Sequence, residues 1–259
     1  MENIIVATEL RQINSIDQVI ATLDQIIAES KKQESPLGYF AALYRKVTIR
    51  VKEGILNGEF EDGPRMENLD IIFAKRYIEA YQAYQKKETV TTSWKVAFDL
   101  ASDNRPIVLQ HLLIGMNAHI SLDLGIAAAE ASQYTIIDDL KNDFDKINDI
   151  LSSLVSEVEQ DLAAIWPFFK YLLKIAGKGD DFLVDFSMKL ARDGAWHFAT
   201  TLDQNPKEFF NDLIEQRDQK VARKSTLITH PGRVVKAIFR MIRLGERGTV
   251  AKRIEELEY

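Results

Sequence analysis

QHLLIGMNAHISLDLGIAAAE, residues 110–130, is the stretch on which the fold turns. It is helix-length, apolar on nearly every side and free of Lys and Arg, yet it carries His111, Asn117, His119 and Asp123. A helix that is hydrophobic all round belongs in the middle of a protein. A neutral polar group buried there without a partner costs on the order of 2–7 kcal/mol. Other side chains are therefore expected opposite these four, and the segment marks a site as well as a core.

Helical signals continue on both sides of it. Ser15 precedes an amphipathic run to about Lys32, and Ser35-Pro36 opens a second to about Asn57. After the turn cluster NGEFEDGP at 57–64, the residues Leu69, Ile72, Phe73, Tyr77 and Ile78 recur at helical spacing. Thr92 and Ser93 open a shorter helix, and Asp103-Asn104-Arg105-Pro106 turns the chain into the central helix, about 106–131. A further helix is expected from about Ile137 to Ile165, with Pro167 interrupting or restarting it. GKGDD at 177–181 breaks the chain before FLVDFSMKLARDGAWHFATTL, and Asn205-Pro206 precedes KEFFNDLIEQRDQKVARK. The THPGR loop at 229–233 leads to one last basic helix running to the C-terminus. VTTSW is the only β-branched cluster, and it is short. The expectation is an all-α protein: a single helical domain over residues 1–259, a multi-helix bundle packed around the buried helix at about 106–131.

Composition narrows the functional classes. A net charge of −6 provides no global basic field, so no nucleic-acid partner is expected. The absence of cysteine removes disulfides, thiolate zinc sites, iron–sulfur clusters and a Cys nucleophile together, leaving His and carboxylate to hold any transition metal. MENIIVATELRQINSIDQVI lacks the basic start and unbroken apolar run of a signal peptide. The polar residues near the middle of the central helix argue against stable membrane insertion, and a cytoplasmic location is expected. There is no GxxxxGK[ST], no GxGxxG after a strand, no GxSxG and no HExxH, which disfavours nucleotide triphosphatases, Rossmann dehydrogenases and α/β-hydrolases.

His119 and Asp123 are spaced i, i+4, which on an α-helix is about 6 Å of rise and about 40° of rotation, so both can converge on one point. They and Asn117 are the candidate catalytic residues. His111 lies about 12 Å further back along the helix, too far to share one metal with His119, and is expected to line another part of the same pocket. Gly115 between them lets a ligand or a neighbouring helix come close. Asp70, on a helix face rich in aromatic residues that include Tyr77, is expected to pair with His119 or Arg76. Asp193 and His197 repeat the i, i+4 spacing in RDGAWHFA, beside Trp196. Should that face turn inward, His197 would join His119, Asp123 and Asp70 around a divalent metal, an arrangement familiar from helical bundles. Against this, Asp185 and Lys189 continue the ladder, as a solvated helix face would. His–Asp spacing alone also suits a buried network that only fixes packing. RVVKAIFRMIRLGERGTVAKR and WPFFKYLLK (166–174) mix cations with apolar residues and suit anionic lipid, although packing of Val234, Val235, Ile238, Phe239 and Ile242 on the core explains the first equally well.

FAALYRKVT at 40–48, FEDGPRMENLDIIFAKRYIEAY at 60–81 and GMNAHISLDLGIAA at 115–128 together resemble the bacterial domain-of-unknown-function family 5995. The likeness extends through NDFDKIN at 142–148 and ARDGAWHFA at 191–199, most of the chain, with NAHIxxDL complete at Asn117 to Leu124. The resemblance implies a helical single domain and emphasises Asp70, Phe73, Arg76, Tyr77, Asn117, His119, Asp123 and Trp196. It implies no activity. Three readings follow from the residues: an enzyme acting on small molecules, by metal-assisted hydrolysis or by His119 acid–base chemistry; a binding module for an apolar or aromatic small molecule; and a scaffold. His111, Asp70, Tyr77 and Trp196 are the expected substrate-pocket residues.

Overall fold

In the computed structural model, which describes residues 13–166 and 188–258, every regular element is helical. Residues 1–12, Pro167 with the rest of the 166–174 stretch, the GKGDD break and Asp185 lie outside the described residues. Helix α1 spans Ile16–Lys32 and begins as expected, with Ser15 Oγ accepting from the Gln18 N–H at 3.3 Å and Lys31 and Lys32 in the last turn. Helix α2 (Gly38–Leu56) starts two residues beyond Pro36, because the Ser35 and Pro36 carbonyls first close a turn onto Gly38 and Tyr39. Helix α3 (Gly63–Gln85) is capped by Asp62, which accepts from the Arg65 N–H at 3.0 Å. Its approach is fixed from a distant part of the chain: Asp143 accepts from the Glu61 and Asp62 amides at 2.7 and 3.0 Å.

Helix α4 (Thr92–Asp99) borrows its cap as well, the Thr92 and Ser93 amides donating to buried Asp218 at 2.6 and 2.8 Å. Helix α5 (Val108–Ala131) is the expected central helix, broken in character but not in course by a wider turn at His119–Asp123. By length and composition it is apolar enough to cross a membrane, and it is buried inside the bundle. Then come α6 (Lys141–Ile165), α7 (Met188–Asp203), α8 (Phe210–Thr229), α9 (Arg233–Gly245) and α10 (Val250–Glu258).

The single last helix expected from the sequence is two helices. Glu246–Thr249 separates α9 from α10, with Gly248 at φ +77°, a backbone state that suits glycine. The break has a purpose in the packing. It folds Glu246 back to the start of α5, where its carboxylate accepts the Val108 N–H at 2.7 Å while Arg243 and Arg253 hold it at 3.3 and 3.5 Å. Phe239 and Ile242 on α9 pack inward, as the core reading of that basic run requires.

Two hydrophobic clusters meet along α5. Its first half, from Val108 to Ala118, packs with α1, α2, α4 and the aromatic part of α3. Its second half, from Ile120 to Ala129, packs with α6 and α7. Gly125 sets the distance to α7, since a β-carbon there would lie 2.7 Å from the Ala195 carbonyl oxygen. The wide turn at His119 falls at the junction of the two clusters.

Candidate active site

The wide turn is a π-helical one: the Leu124 N–H reaches back five residues to the His119 carbonyl. Single π turns inside α-helices recur at functional sites. This one sets the imidazole Nδ1 of His119 3.2 Å from Asp123 Oδ2. The other demands on Asp123 come from neighbouring helices. Arg76 Nε on α3 donates to Oδ1 at 3.0 Å, and Trp94 Nε1 on α4 donates to Oδ2 at 2.8 Å. Asp123 is 1 % exposed. Burial alone would raise its carboxyl; the His119 bond, the Arg76 charge and the Trp94 N–H outweigh it and hold the carboxyl below its usual range.

An ionised Asp123 fixes the tautomer of His119, because the carboxylate only accepts and Nδ1 must therefore carry the proton. Nε2 is left as the basic nitrogen. It is buried and has no hydrogen-bond partner. Burial lowers the imidazole pKa by more than the Asp123 hydrogen bond raises it, so the ring is neutral near pH 7. Phe73 stacks on the ring at 3.6 Å between centroids, and Tyr44 meets it edge-on at 4.5 Å.

His119 lines a cavity of about 280 Å³ between the two hydrophobic clusters. The walls come from α2, α3, α5 and α6, with Arg192 from α7, and are almost wholly apolar, with Leu43, Val47, Leu113, Met116, Ile147 and Leu154 representative. Four polar side chains break that lining: Tyr44, Asp70, His119 and Arg192. Each contributes a buried atom without a partner: the Tyr44 hydroxyl, Asp70 Oδ2, His119 Nε2 and Arg192 Nε. Burial, with the Glu67 carboxylate one turn away, pushes Asp70 up to about 7. Burial and the neighbouring Asp70 push the Tyr44 hydroxyl well above its ordinary range. An unsatisfied buried polar atom costs about 1–3 kcal/mol, so the side chains around this cavity carry four such costs.

The expected site residues divide sharply. His119 and Asp123 bond directly, and Asp70 shares the cavity with His119 but pairs with neither His119 nor Arg76, whose charge is taken by Asp123. Asn117 is turned away: its Nδ2 donates to the Val221 carbonyl and Ser225 Oγ on α8, both at 3.0 Å. Two residues along a helix is about 200° of rotation, so Asn117 and His119 face opposite ways. His111 and Tyr77 line a separate, much smaller cavity with Gly115 and Phe40, so His111 does not share the pocket of His119. Burial and the charge of Arg243 lower the His111 pKa to about 3. Trp196 lies outside both cavities, against Phe144 at 5.0 Å and beneath Lys141.

The four-residue metal set is corrected. His197 is exposed, and Asp193 beside it pairs with Lys189 at 2.9 Å, because α7 turns Arg192, Ala195, Ala199 and Leu202 inward instead. Both oxygens of Asp123 are already committed to Arg76, Trp94 and His119. Among the described residues no three His, Asp or Glu side chains converge on a point that would hold a cation. The donor set does not fit a divalent metal.

Three participants were absent from the sequence reading or unspecific in it. Trp94 and Tyr44 are aromatic residues whose polar atoms matter only through neighbours on other helices. Arg192 had a local signal: Ala195, Ala199 and Leu202 mark an inward stripe, and one step back along it is Arg192.

The model of a family of unknown function, DUF5995, matches residues 16–231, a span that includes every group of the His119 site. No curated protein and no solved structure matches the chain.

Proposed function

This chain belongs to the DUF5995 family of unknown function, and we propose that it is an enzyme carrying out acid–base chemistry on a largely apolar small molecule. The observation that carries the reading is His119: one nitrogen is held by an ionised carboxylate, and the other is buried, basic and without a partner in a ring that lines an apolar cavity. That is the arrangement in which a histidine takes and returns a proton, with Asp123 as the positioning residue that holds the tautomer and stabilises the imidazolium once formed. Asp70 supplies a second acid–base group in the same cavity. With a pKa of about 7 it holds its proton in part of the molecules at neutral pH, so one group can remove a proton while the other delivers one. Proton transfer of the lyase or isomerase type suits this pair, and no step needs a metal.

Deuterium incorporation tests the proposal. Panels of apolar ketones, esters and unsaturated acids are incubated with the protein in D2O, beside the His119→Gln variant, and read by mass spectrometry. Incorporation at carbon by the parent and not by the variant supports acid–base catalysis. The nearly apolar lining also suits a binding module, and thermal stabilisation by a panel member without incorporation or product would replace the enzyme reading with that one.

A further inference from the structure

Arg192 is 3 % exposed and lies on the wall of an otherwise apolar cavity. Its guanidinium stands over the Phe144 ring at 4.6 Å, one terminal nitrogen donates to the Phe144 carbonyl, and Nε has no partner. The carboxylates whose fields reach it, Asp145 and Asp193, lie on the exposed side of their helices, held by Lys141 and Lys189. Among the described residues Arg192 has no ion-pair partner. Asp70, on the same cavity, does not supply one: the carboxylate fields that reach Arg192 are those of Asp145 and Asp193. Burial lowers the Arg192 pKa only to about 10, so the side chain is charged at neutral pH. A desolvated cation with no anion costs several kcal/mol. Methionine or leucine would fill this position on α7 without that cost.

We propose that the cavity binds an apolar monocarboxylic acid, its carboxylate on Arg192 and its hydrocarbon body along Ile147, Leu151 and Leu154. The proposal deepens the reading of the His119 site by naming the class of molecule it would act on, and it rests on that cavity being the ligand site. One unpaired buried cation calls for one negative charge. A phosphate dianion would bring a second charge with no partner in an apolar chamber, whereas a carboxylate balances the single charge of Arg192. The rest of the ligand meets Tyr44, Asp70 and His119 as the remaining polar positions on the wall.

The experiment measures binding by native mass spectrometry and thermal shift for straight-chain saturated monocarboxylates, matched alcohols and matched alkyl phosphates. All are used below the concentration at which they aggregate, with the parent protein and with Arg192→Met and Arg192→Lys. In the parent the acid of best-fitting length is expected to bind about tenfold or more tightly than its alcohol, the worth of a charge-assisted hydrogen bond, and more tightly than its phosphate. That preference falls to about onefold in Arg192→Met and survives in part in Arg192→Lys. Equal binding of acids and alcohols in the parent, no binding of any acid, or a preference that Arg192→Met retains overturns the proposal. A preference for the phosphate overturns the carboxylate assignment. Should Arg192→Met not fold, the acid-to-alcohol ratio in the parent and in Arg192→Lys decides. Because deuterium incorporation depends on His119 and acid preference on Arg192, the two readings fail separately.

Discussion

The imidazole of His119 and the ring of Phe73 lie face to face, their centroids 3.6 Å apart and their planes 7° from parallel. The stack covers one face of a ring whose edge is fixed by Asp123, leaving His119 no rotational freedom that does not break a contact. Phe73→Leu removes the stack and part of the packing, and is expected to cost about 1–3 kcal/mol of stability. It also admits water to a ring whose pKa burial holds down, so the His119 titration moves up toward the ordinary histidine range. NMR titration of the imidazole measures the shift. An unchanged titration would mean that Phe73 contributes packing alone.

Asp123 carries the network, so Asp123→Asn should be among the most damaging isosteric changes in the protein. It leaves Arg76, Trp94 and His119 facing an amide that cannot satisfy all three. Breaking a buried pair by removing one partner costs about 3–5 kcal/mol, and the lower end applies here because Arg76 keeps 24 % of its side-chain exposure. The double variant Asp123→Asn/Arg76→Met recovers part of the loss, since it also removes the abandoned cation. Denaturant unfolding of the two variants measures both terms, and a double variant no more stable than the single one would show that Arg76 is sufficiently hydrated alone.

These contacts also mark how far local sequence reaches. The central helix was legible because an apolar segment of that length has only one place to go, and the His119–Asp123 pair because i, i+4 spacing survives the π turn. Arg76, Tyr44 and Trp94 meet that pair from three other helices, and no spacing rule connects helices. His197 and Arg192 show the same boundary within one helix. Both lie in a segment of helical period, and which one faces inward depends on the angle at which α7 meets α5 through Gly125 and Ala195. The split between α9 and α10 was hidden for a related reason: it serves Glu246, whose partner Val108 lies 138 residues away in sequence.

Two buried groups give stability opposite slopes against pH. Asp70 has its folded pKa raised from 3.8 to about 7, so between those values the folded state binds more protons than the unfolded one and stability falls as pH rises. His111 has its folded pKa lowered from 6.5 to about 3, so between those values the unfolded state binds more protons and stability rises with pH. Across the shared window the two contributions offset one another in the parent. Asp70→Asn removes the falling one: its advantage over the parent is small near pH 3.8, grows as pH rises toward 7 and levels off above that at no more than about 4 kcal/mol. His111→Leu removes the rising one and is expected to gain on the parent as pH falls below the ordinary histidine pKa. Chemical denaturation across pH separates them, and parallel curves for parent and variants would show that neither group is as dehydrated as its setting implies.

Gly115 and Phe40 are expected to couple strongly. A β-carbon at Gly115 would lie 2.5 Å from Cδ2 of Phe40, a separation neither atom tolerates. Phe40 cannot retreat easily, because it lines both cavities and packs edge-on against Tyr77 at 5.1 Å and His119 at 5.7 Å. Gly115→Ala should therefore cost about 1–3 kcal/mol, as overpacked cores do. In a Phe40→Ala background the same methyl enters the space the ring has left, and its cost should fall to near zero. The double-mutant cycle then gives a coupling of the same size as the single cost. Full additivity would mean that α2 and α5 move apart at little expense, and the wall between the two cavities would then be soft rather than fixed by the Phe40 ring.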